Sequence, residues 1–371
     1  MLSEFRRALH QNPELSGQEV ATAAKIYQEL ALLKPDLLLQ KLGGHGLLAI
    51  FGNNPSQKTI FFRAELDALP IAEVNEFAHK SIHEQVSHKC GHDGHATILL
   101  GLAQKLASDR VNLRVNVGVL FQPAEEIGKG AIALLNDPNF EPFKPDYIFA
   151  LHNLPGYPLH QIVVKEGSFT PEVKSYIFRL QGKTAHAAEP ENGINPALAM
   201  AEILQGAERI SSNIQENLAL ITPIHAILGK PAYGVAAGYG ELHFTLRSYT
   251  PERMRRLEDE LKALIKKAVL KRGLELHSNS LEEFKANVND KQAVDLIRQS
   301  AKALQLDLLE IEQPMKWGED FGAFTQRFPG AIFGLGAGLN CPALHNPDYD
   351  FPDELLETGV NIFWGIVQQL K

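Results

Sequence analysis

Residues 88–96 read HKCGHDGHA and combine one of the two cysteines of the chain with three histidines and an aspartate. Cys90 and His92 are two positions apart. A thiolate and an imidazole at this spacing can face the same ion, because both are good ligands for borderline-soft metals. A thiol nucleophile and a polar turn rich in histidine are the alternatives. A metal site needs further ligands, so this segment alone leaves all three interpretations open.

Further candidate ligands occur in other parts of the chain. Two adjacent carboxylates stand at Glu125 and Glu126, and single histidines stand at His152 in LHNLP and His345 in ALHNP. Together with the cysteine motif they offer nitrogen, oxygen and sulfur donors, a set that suits one or two divalent ions. A lone histidine is more often an ordinary hydrogen-bonded residue. The metal hypothesis therefore depends on a fold that brings these segments together.

The first half of the chain alternates strand-like and helix-like segments. Helical spacing of apolar residues occurs in EVATAAKIYQEL and HATILLGLAQKLA. Apolar runs typical of buried strands occur at GLLAIF (46–51), TIFFRA (59–64), VNVGVLF (115–121) and YIFAL (147–151). This alternation predicts an α/β fold with a mixed, mostly parallel sheet that is buried on both faces.

Polar residues follow three of these predicted strands. TIFFRA leads into Glu65, VNVGVLF leads into Glu125 and Glu126, and YIFAL leads into His152. In open α/β sheets, ligands bind beyond the carboxyl ends of the strands. The candidate ligands are therefore expected at one edge of the sheet.

The pattern changes at about residue 171. Strand-like VKSYIFRLQG, ALITPIHAILG and GELHFTLRSY are accompanied by helix-like PALAMAEILQGAERI and PERMRRLEDELKALIKKAVL. The later segments KQAVDLIRQSAKALQL and GAIFGLG return to the pattern of the first half. We therefore predict a catalytic domain formed by residues 1–170 and 282–371, interrupted by an inserted α+β domain over residues 171–281.

Length and composition exclude several classes of protein. A chain of 371 residues suggests about two domains, and a net charge of −8 without a dense Lys/Arg cluster argues against nucleic-acid binding. No apolar run reaches the ~18 residues that a membrane span needs. The N-terminal segment lacks the pattern of a secretion signal, and two cysteines are too few for a disulfide scaffold. A cytoplasmic enzyme is the expectation.

Seven segments carry a more specific signal, and they occur in order along the chain. They read LHQNPELSGQE, RAELDALPI, HKCGHDGHA, FQPAEEIGKGA, GKTAHAAEP, WGEDFGAF and LHNPDYDF. The series resembles the aminoacylase-like dinuclear metallopeptidases, in which the second to fourth segments correspond to RADMDALPI, HACGHDxH and FQPAEE followed by glycine. Within that family it resembles the amidohydrolase branch, which includes hippurate hydrolases, auxin-conjugate hydrolases and N-acetyldiaminopimelate deacetylases.

The resemblance implies a site for two divalent ions (zinc, manganese, cobalt or nickel), with Glu125 as general base. The ligands that it implies are Cys90, His92, Glu126, His152 and His345. A metal ion lowers the pKa of water and polarises an amide carbonyl, and a carboxylate can take the proton of the attacking water. Cys90 is then a thiolate ligand, because a nucleophilic cysteine would leave Glu126 and His345 without a role.

Two further residues are predicted to support the ligands. Asp93 follows His92 directly and is either a residue that orients the ligands or a helix N-cap. Glu65 is predicted to lie behind the ligands, although the family usually has aspartate at this position. His88 and His95 belong to the same motif as Cys90 but are not expected to bind metal.

The inserted domain resembles the lid and dimerisation domain of the family. The resemblance implies that His186, in GKTAHAAEP, stabilises the developing oxyanion, and that Arg247 binds a substrate carboxylate. It also implies a homodimer formed through this domain. Before Arg247 the chain reads AYGVAAGYGELHFTLR, without the Asn-Val-Ile-Pro turn of many relatives, and GINP stands where DP is commoner. These departures bear on the substrate and not on the predicted metal ligands.

Three functions are compatible with these features. The leading hypothesis is a metal-dependent amidohydrolase that cleaves small N-acyl (acetyl or aryl-acyl) amino acids. The second is a dipeptidase or aminopeptidase on the same scaffold, which would need a site for a free α-ammonium group. The third is a metal-binding or ligand-binding homologue without turnover, which the presence of Glu125 opposes.

Overall fold

The computed structural model describes residues 2–213 and 218–370, and the chain divides into two compact units. The first unit comprises Met1–Phe169, Asn287–Met315 and Glu319–Lys371. The second unit comprises Thr170–Ala286 together with Lys316–Gly318. The division proposed from the sequence assigns residue 170, residues 282–286 and Lys316–Gly318 to the catalytic domain, whereas these residues group with the second unit.

The described residues contain both helices and strands, in an order that mixes the two. The helices are α1 (Leu2–His10), α2 (Val20–Leu32), α3 (His92–Ser108), α4 (Gly130–Leu135), α5 (Ala197–Asn213), α6 (Pro251–Leu270), α7 (Lys291–Ala303), α8 (Gly322–Thr325) and α9 (Leu355–Gln369). The strands are β1 (Leu37–Leu42), β2 (Gly46–Phe51), β3 (Thr59–Glu65), β4 (Asn116–Gln122), β5 (Tyr147–Leu154), β6 (Ile162–Val164), β7 (Gly167–Thr170), β8 (Glu172–Gln181), β9 (Ala185–His186), β10 (Ala219–Leu228), β11 (Val235–Ala236), β12 (Tyr239–Ser248), β13 (Glu275–Phe284), β14 (Asn287–Asn289), β15 (Leu308–Glu310) and β16 (Gly330–Gly336).

The first unit contains an eight-stranded sheet in the order β1-β2-β4-β3-β5-β16-β6-β15. Its centre is parallel, since β3 pairs with β4 and β5, and β5 pairs with β16, in parallel register. The pairs β1–β2, β2–β4 and β16–β6 are antiparallel. The predicted α/β class with a mixed, mostly parallel sheet is confirmed. Strands β2, β4 and β16 are buried along their whole length, as their largely apolar sequences predict.

Helix α3 lies in the core of the first unit and contacts α1, α9 and strand β3. Its first twelve residues, 92–103, are all buried. Gly94 permits this close packing, because a Cβ atom there would lie 2.4 Å from the Phe351 ring. The helix begins at His92, so the core packing that fixes α3 also fixes the position of this candidate ligand.

The second unit is built on an antiparallel sheet in the order β10-β12-β8-β13. Side chains of β12 alternate between buried and half-buried, and the buried set includes Phe244. It packs with Phe178 of β8 and with Ile203 and Leu257, which lie on α5 and α6. The short strands β9 and β11 form a separate two-stranded ribbon. Among the helices of the described residues, none is long and apolar enough to cross a membrane.

Candidate metal centre

The candidate ligands of the first unit come from segments at the carboxyl ends of its central strands. Strand β3 ends at Glu65, which lies opposite the last residue of β4, Gln122. The pair Glu125–Glu126 follows β4 directly, and His152 is near the end of β5. The parallel pairing of these strands is therefore what brings residues far apart in sequence to one edge of the sheet.

Among the groups of donor atoms that lie close together, two contain only predicted ligands and share Cys90; other groups join His92 to Glu125 and Glu126, and to Glu65 and His95. Cys90, His92 and His152 each offer one ligand atom, and these atoms lie within 4.8 Å of one another. The same holds for Cys90, Glu126 and His345. Within the sets, Cys90 Sγ lies 3.5 Å from His152 Nε2, and Glu126 Oε2 lies 3.7 Å from His345 Nε2. The structure thus brings all five predicted ligands together, and Cys90 belongs to both sets.

The chemistry of these donors fits a divalent ion. His92 Nε2 and Glu126 Oε1 are 3.8 Å apart, and both are buried without a hydrogen-bond partner among the described residues. Buried polar atoms normally have a partner, so two such atoms pointing at the same space need an explanation. An ion bound by nitrogen, carboxylate oxygen and sulfur would satisfy both.

The charges around the site also favour a cation. Burial, together with the nearby carboxylates of Glu319 and Glu126, raises the pKa of Glu125 well above its ordinary value. Burial raises the pKa of Glu126 to about 7, although the charge of His92 opposes this. Burial and the neighbouring glutamates also raise the pKa of the Cys90 thiol. A bound divalent ion would reverse these effects and favour the thiolate and carboxylate forms that act as ligands.

The two buried histidines of the first set are held differently. Burial lowers the pKa of His92, but its contact with Asp67 and the charge of Glu65 outweigh burial and raise that pKa to about 10. Burial and the neighbouring His95 lower the pKa of His152 to about 3. His152 is therefore neutral, and its Nδ1 donates to the backbone oxygen of Asn153 at 2.9 Å. Its Nε2, which lies 3.5 Å from Cys90 Sγ, is on the side of the ring that faces the donor set.

Asp67 orients His92, a role that was not predicted from the sequence. His92 Nδ1 donates to the backbone oxygen of Asp67 at 2.9 Å and lies 3.3 Å from its Oδ1. Asp67 Oδ2 accepts from the backbone N–H of Glu126 at 2.9 Å and from Ser16 Oγ at 2.7 Å. One aspartate therefore aims His92 Nε2 at the site and fixes the loop that carries Glu126. The sequence feature that could have indicated this role is Asp67 itself, the second acidic residue of RAELDALPI.

Glu65 lies behind the candidate ligands. Its Oε2 accepts from His95 Nδ1 at 2.7 Å, and its Oε1 pairs with Arg63. His95 Nε2 lies 2.6 Å from Asn153 Oδ1, and the His95 ring packs edge-on against His152 with centroids 4.8 Å apart. Both ring nitrogens of His95 are thus engaged with protein groups. Glu65 therefore hydrogen-bonds to the supporting His95, and its carboxylate also lies within 4.8 Å of a ring nitrogen of the predicted ligand His92.

Asp93 is buried in the first turn of α3, directly after His92. The N-cap of α3 is Gly91, so the N-cap interpretation of Asp93 is wrong. Asp93 Oδ2 instead accepts from His10 Nδ1 at 2.9 Å and from Arg6 Nη1 at 3.2 Å. Asp93 therefore ties α1 to the first turn of α3, the turn that begins with His92.

Glu125 is oriented by the segment WGEDFGAF, for which the sequence analysis gave no role. The backbone N–H of Asp320 donates to Glu125 Oε1 at 3.3 Å. Asp320 is held by the fully buried Arg63 at 2.7 Å and by Gln122 Nε2 at 2.8 Å. The turn before Glu125 contains Ala124 with a φ of +54°, whose N–H donates to Glu19 Oε1 at 2.8 Å. Buried polar groups thus hold one oxygen of this carboxylate and the backbone just before it.

The other two predicted site residues lie in the second unit. His186 is exposed in β9, and its Nδ1 accepts from the backbone N–H of Ala188 at 3.1 Å. Arg247 is half-buried in β12, and its Nη1 donates to the backbone oxygen of Lys316 at 3.0 Å. Burial lowers the pKa of Arg247. Neither residue belongs to the donor sets of the first unit.

Sequence comparison finds a family and close relatives. Residues 61–369 match the model of peptidase family M20/M25/M40. Hippurate hydrolase of Campylobacter jejuni is 30% identical over 363 residues, which are 97% of this chain and 94% of the relative. N-acetyldiaminopimelate deacetylase of Priestia megaterium is 31% identical over 336 residues, 90% of this chain and 88% of the relative.

Structural comparison finds the same family. The Bacillus subtilis YXEP protein, a dinuclear metal binding peptidase from the M20 family, is 26% identical, with a TM-score of 0.85 over 99% of this chain and 96% of that one. A putative aminohydrolase from methicillin-resistant Staphylococcus aureus is 24% identical, with a TM-score of 0.91 over 100% and 96%. The second likeness concerns the fold alone.

Proposed function

Because the chain belongs to peptidase family M20/M25/M40 and is a metal-dependent amidohydrolase, we propose that it cleaves N-acyl amino acids, with an acetyl or aryl-acyl group, to a carboxylic acid and a free amino acid. The observation that carries this proposal is the pair of donor sets that share Cys90 beside the buried carboxylate of Glu125. The names of the two relatives, a hippurate hydrolase and an N-acetyldiaminopimelate deacetylase, support the substrate class.

We assign the ligands to two divalent ions, in line with the dinuclear relative. Cys90, His92 and His152 would hold one ion, and Cys90, Glu126 and His345 would hold the other. Zinc, manganese, cobalt and nickel all accept such donors, and availability often decides between them. The bound ions would lower the pKa of a water molecule and polarise the amide carbonyl.

Glu125 is the proposed general base. It would take a proton from the attacking water and later give a proton to the leaving amine. The N–H of Asp320 holds Oε1, so the other oxygen, Oε2, can face the site; it lies 3.9 Å from His92 Nε2. Arg63 fixes Asp320 from the buried side and so keeps the base in position.

The second unit is the proposed lid and dimerisation domain, and two of its residues are assigned to the substrate. Arg247 would bind the carboxylate of the amino acid, because a guanidinium can make two parallel hydrogen bonds to it. His186 would stabilise the oxyanion that forms during attack. If Arg247 binds the substrate carboxylate, the enzyme should cleave substrates that lack this group more slowly. A purely structural role of Arg247 would not produce such a dependence.

A substrate panel tests the proposed reaction. We expect chelator-treated protein to be inactive, and Zn²⁺ or Mn²⁺ to restore amine release from N-acetyl and N-benzoyl amino acids. The matching amino-acid amides, which lack the carboxylate, should be poorer substrates. Ninhydrin or coupled amine assays provide the measurement. Turnover of dipeptides alone would point to a peptidase instead, and no turnover with metal bound would contradict the proposal.

We further propose that the chain forms a homodimer through the second unit. Strand β10 lies at an edge of its sheet and exposes Ile224, Ile227 and Leu228. An apolar edge strand with unpaired backbone groups is a template for pairing with a second chain. Sedimentation equilibrium should give twice the mass of one chain, and Ile224→Lys should shift the protein toward the monomer. A monomeric wild-type protein would contradict this proposal.

A further inference from the structure

The predicted ligand His345 lies on a loop whose conformation needs external support. His345 has a φ of +65°, in the left-handed region that a residue with a Cβ atom seldom adopts. Its side chain is 52% exposed, so packing of the imidazole does not hold it in place. The position of His345 therefore depends on how the backbone of the loop over residues 345–349 is held.

Lys89 contacts this loop at both of its ends. The backbone oxygen of Lys89 accepts from the N–H of His345 at 2.7 Å, and Lys89 Nζ donates to the backbone oxygen of Tyr349 at 2.7 Å. The Lys89 side chain is fully buried and pairs with Glu73, which supplies the counter-charge that a buried ammonium needs. Lys89 directly precedes Cys90, so the same residue is fixed to the ligand that both donor sets share.

The segment around Glu73 holds the middle of the loop. The N–H of Val74 donates to the backbone oxygen of Pro347 at 3.2 Å. Asn75 Nδ2 donates to the backbone oxygens of Asp348 at 3.1 Å and Tyr349 at 3.3 Å. Glu73 is itself anchored, since its Oε1 lies 3.0 Å from His10 Nε2 and its Oε2 accepts from Ser81 N at 2.8 Å.

We propose that Lys89, Glu73 and Asn75 form a positioning clamp that presents His345 and thereby sets the affinity of the ion held by Glu126 and His345. This inference rests on the proposed binuclear centre. Where the family motif HACGHDxH has alanine, this chain has Lys89. An alanine keeps the backbone contact with His345 but cannot reach Tyr349, so the second contact of the clamp depends on the lysine side chain.

The clamp is expected to act on one ion and not on both. His92 begins the buried helix α3 and is aimed by Asp67, and His152 lies within the buried strand β5. Neither depends on the loop that carries His345. Loosening the loop should therefore weaken the ion of Glu126 and His345 and leave the ion of Cys90, His92 and His152 bound.

Metal titration of two variants tests the clamp. Lys89→Met removes the ammonium at similar volume. Asn75→Ala removes the two bonds to the loop and the bond from Asn75 Nδ2 to Glu73 Oε1. Isothermal titration of chelator-treated full-length protein with Zn²⁺, checked by elemental analysis, should resolve two sites in the wild type. Supporting groups of this kind are worth about 10–100-fold in metal affinity. We expect Lys89→Met to weaken one site within that range and Asn75→Ala to weaken the same site by less.

Lys105→Met is the matched control. Lys105 lies on α3, and its Nζ donates to Asn361 Oδ1 at 3.0 Å, away from the loop. Both metal affinities should be unchanged in this variant. Unaltered metal affinities in Lys89→Met and Asn75→Ala would contradict the clamp but not the binuclear centre. Equal weakening of the binding of both ions would also contradict the clamp. A wild-type protein that binds a single ion would overturn the binuclear centre as well. If Lys89→Met does not fold, as judged by circular dichroism, Asn75→Ala decides alone.

Discussion

Replacement of Glu125 by glutamine should lower kcat by about 10²–10⁴-fold, the usual contribution of a general base, which corresponds to about 3–5 kcal/mol of activation free energy. The amide is nearly the same size as the carboxylate, and its oxygen can still accept from the N–H of Asp320. It cannot take a proton from water. The turn around residue 125 and the candidate ligands should therefore stay in place while proton transfer fails.

The measurement combines initial rates with metal analysis of the same preparation. Glu125→Gln should retain two ions and bind the substrate with a KM close to that of the wild type. Glu126→Gln is the informative neighbour, because it removes a predicted ligand and should lose the ion that His345 shares. Wild-type activity in Glu125→Gln would show that another group moves the proton. Loss of ions from Glu125→Gln would instead make Glu125 a ligand.

The central sheet could be predicted because its strands are buried on both faces. A run such as VNVGVLF is apolar except for Asn116, and β4 is buried at every position. Strand β15, Leu308–Glu310, is exposed at all three of its residues. It pairs with β6 through its backbone, and backbone pairing leaves no apolar pattern that could reveal it. Edge strands of this kind depend on tertiary contacts and not on local sequence.

The supporting groups of the site were harder to predict than its donors. Glu126 and His152 lie near strand ends and Cys90, His92 and His345 lie in recognisable motifs, which a sequence reveals, whereas supporting contacts join residues far apart. Arg63 meets Asp320 across 257 positions of the chain, and His92 is oriented partly by a backbone oxygen, which any residue at position 67 would supply. Lys89 reads as an ordinary surface lysine in the sequence, yet it is fully buried. These contacts follow from the fold and from no local pattern.

Cys90→Ser should produce the largest loss of metal, because Cys90 belongs to both donor sets. A neutral hydroxyl is a far weaker ligand than a thiolate for ions such as zinc or cobalt. We expect the affinity for both ions to fall by at least about 10²-fold and hydrolysis to be lost with them. His152→Ala, which changes only one set, should release one ion and keep the other. Titration with Co²⁺, followed by the thiolate-to-cobalt absorption band, measures both the stoichiometry and the loss of sulfur ligation.

Cys341→Ser is the control for this experiment. Cys341 is the other free cysteine, is half-buried, and belongs to neither donor set that contains Cys90. Its replacement should leave both ions and the cobalt band unchanged. Two ions bound with full activity in Cys90→Ser would exclude the shared thiolate. Two ions bound without activity would support the alternative that Cys90 is a nucleophile. Reagents that resemble the substrate should then alkylate Cys90 in the wild-type protein. Because both donor sets share the sulfur atom of Cys90, Cys90→Ser should lose both ions, whereas Cys341→Ser should keep both.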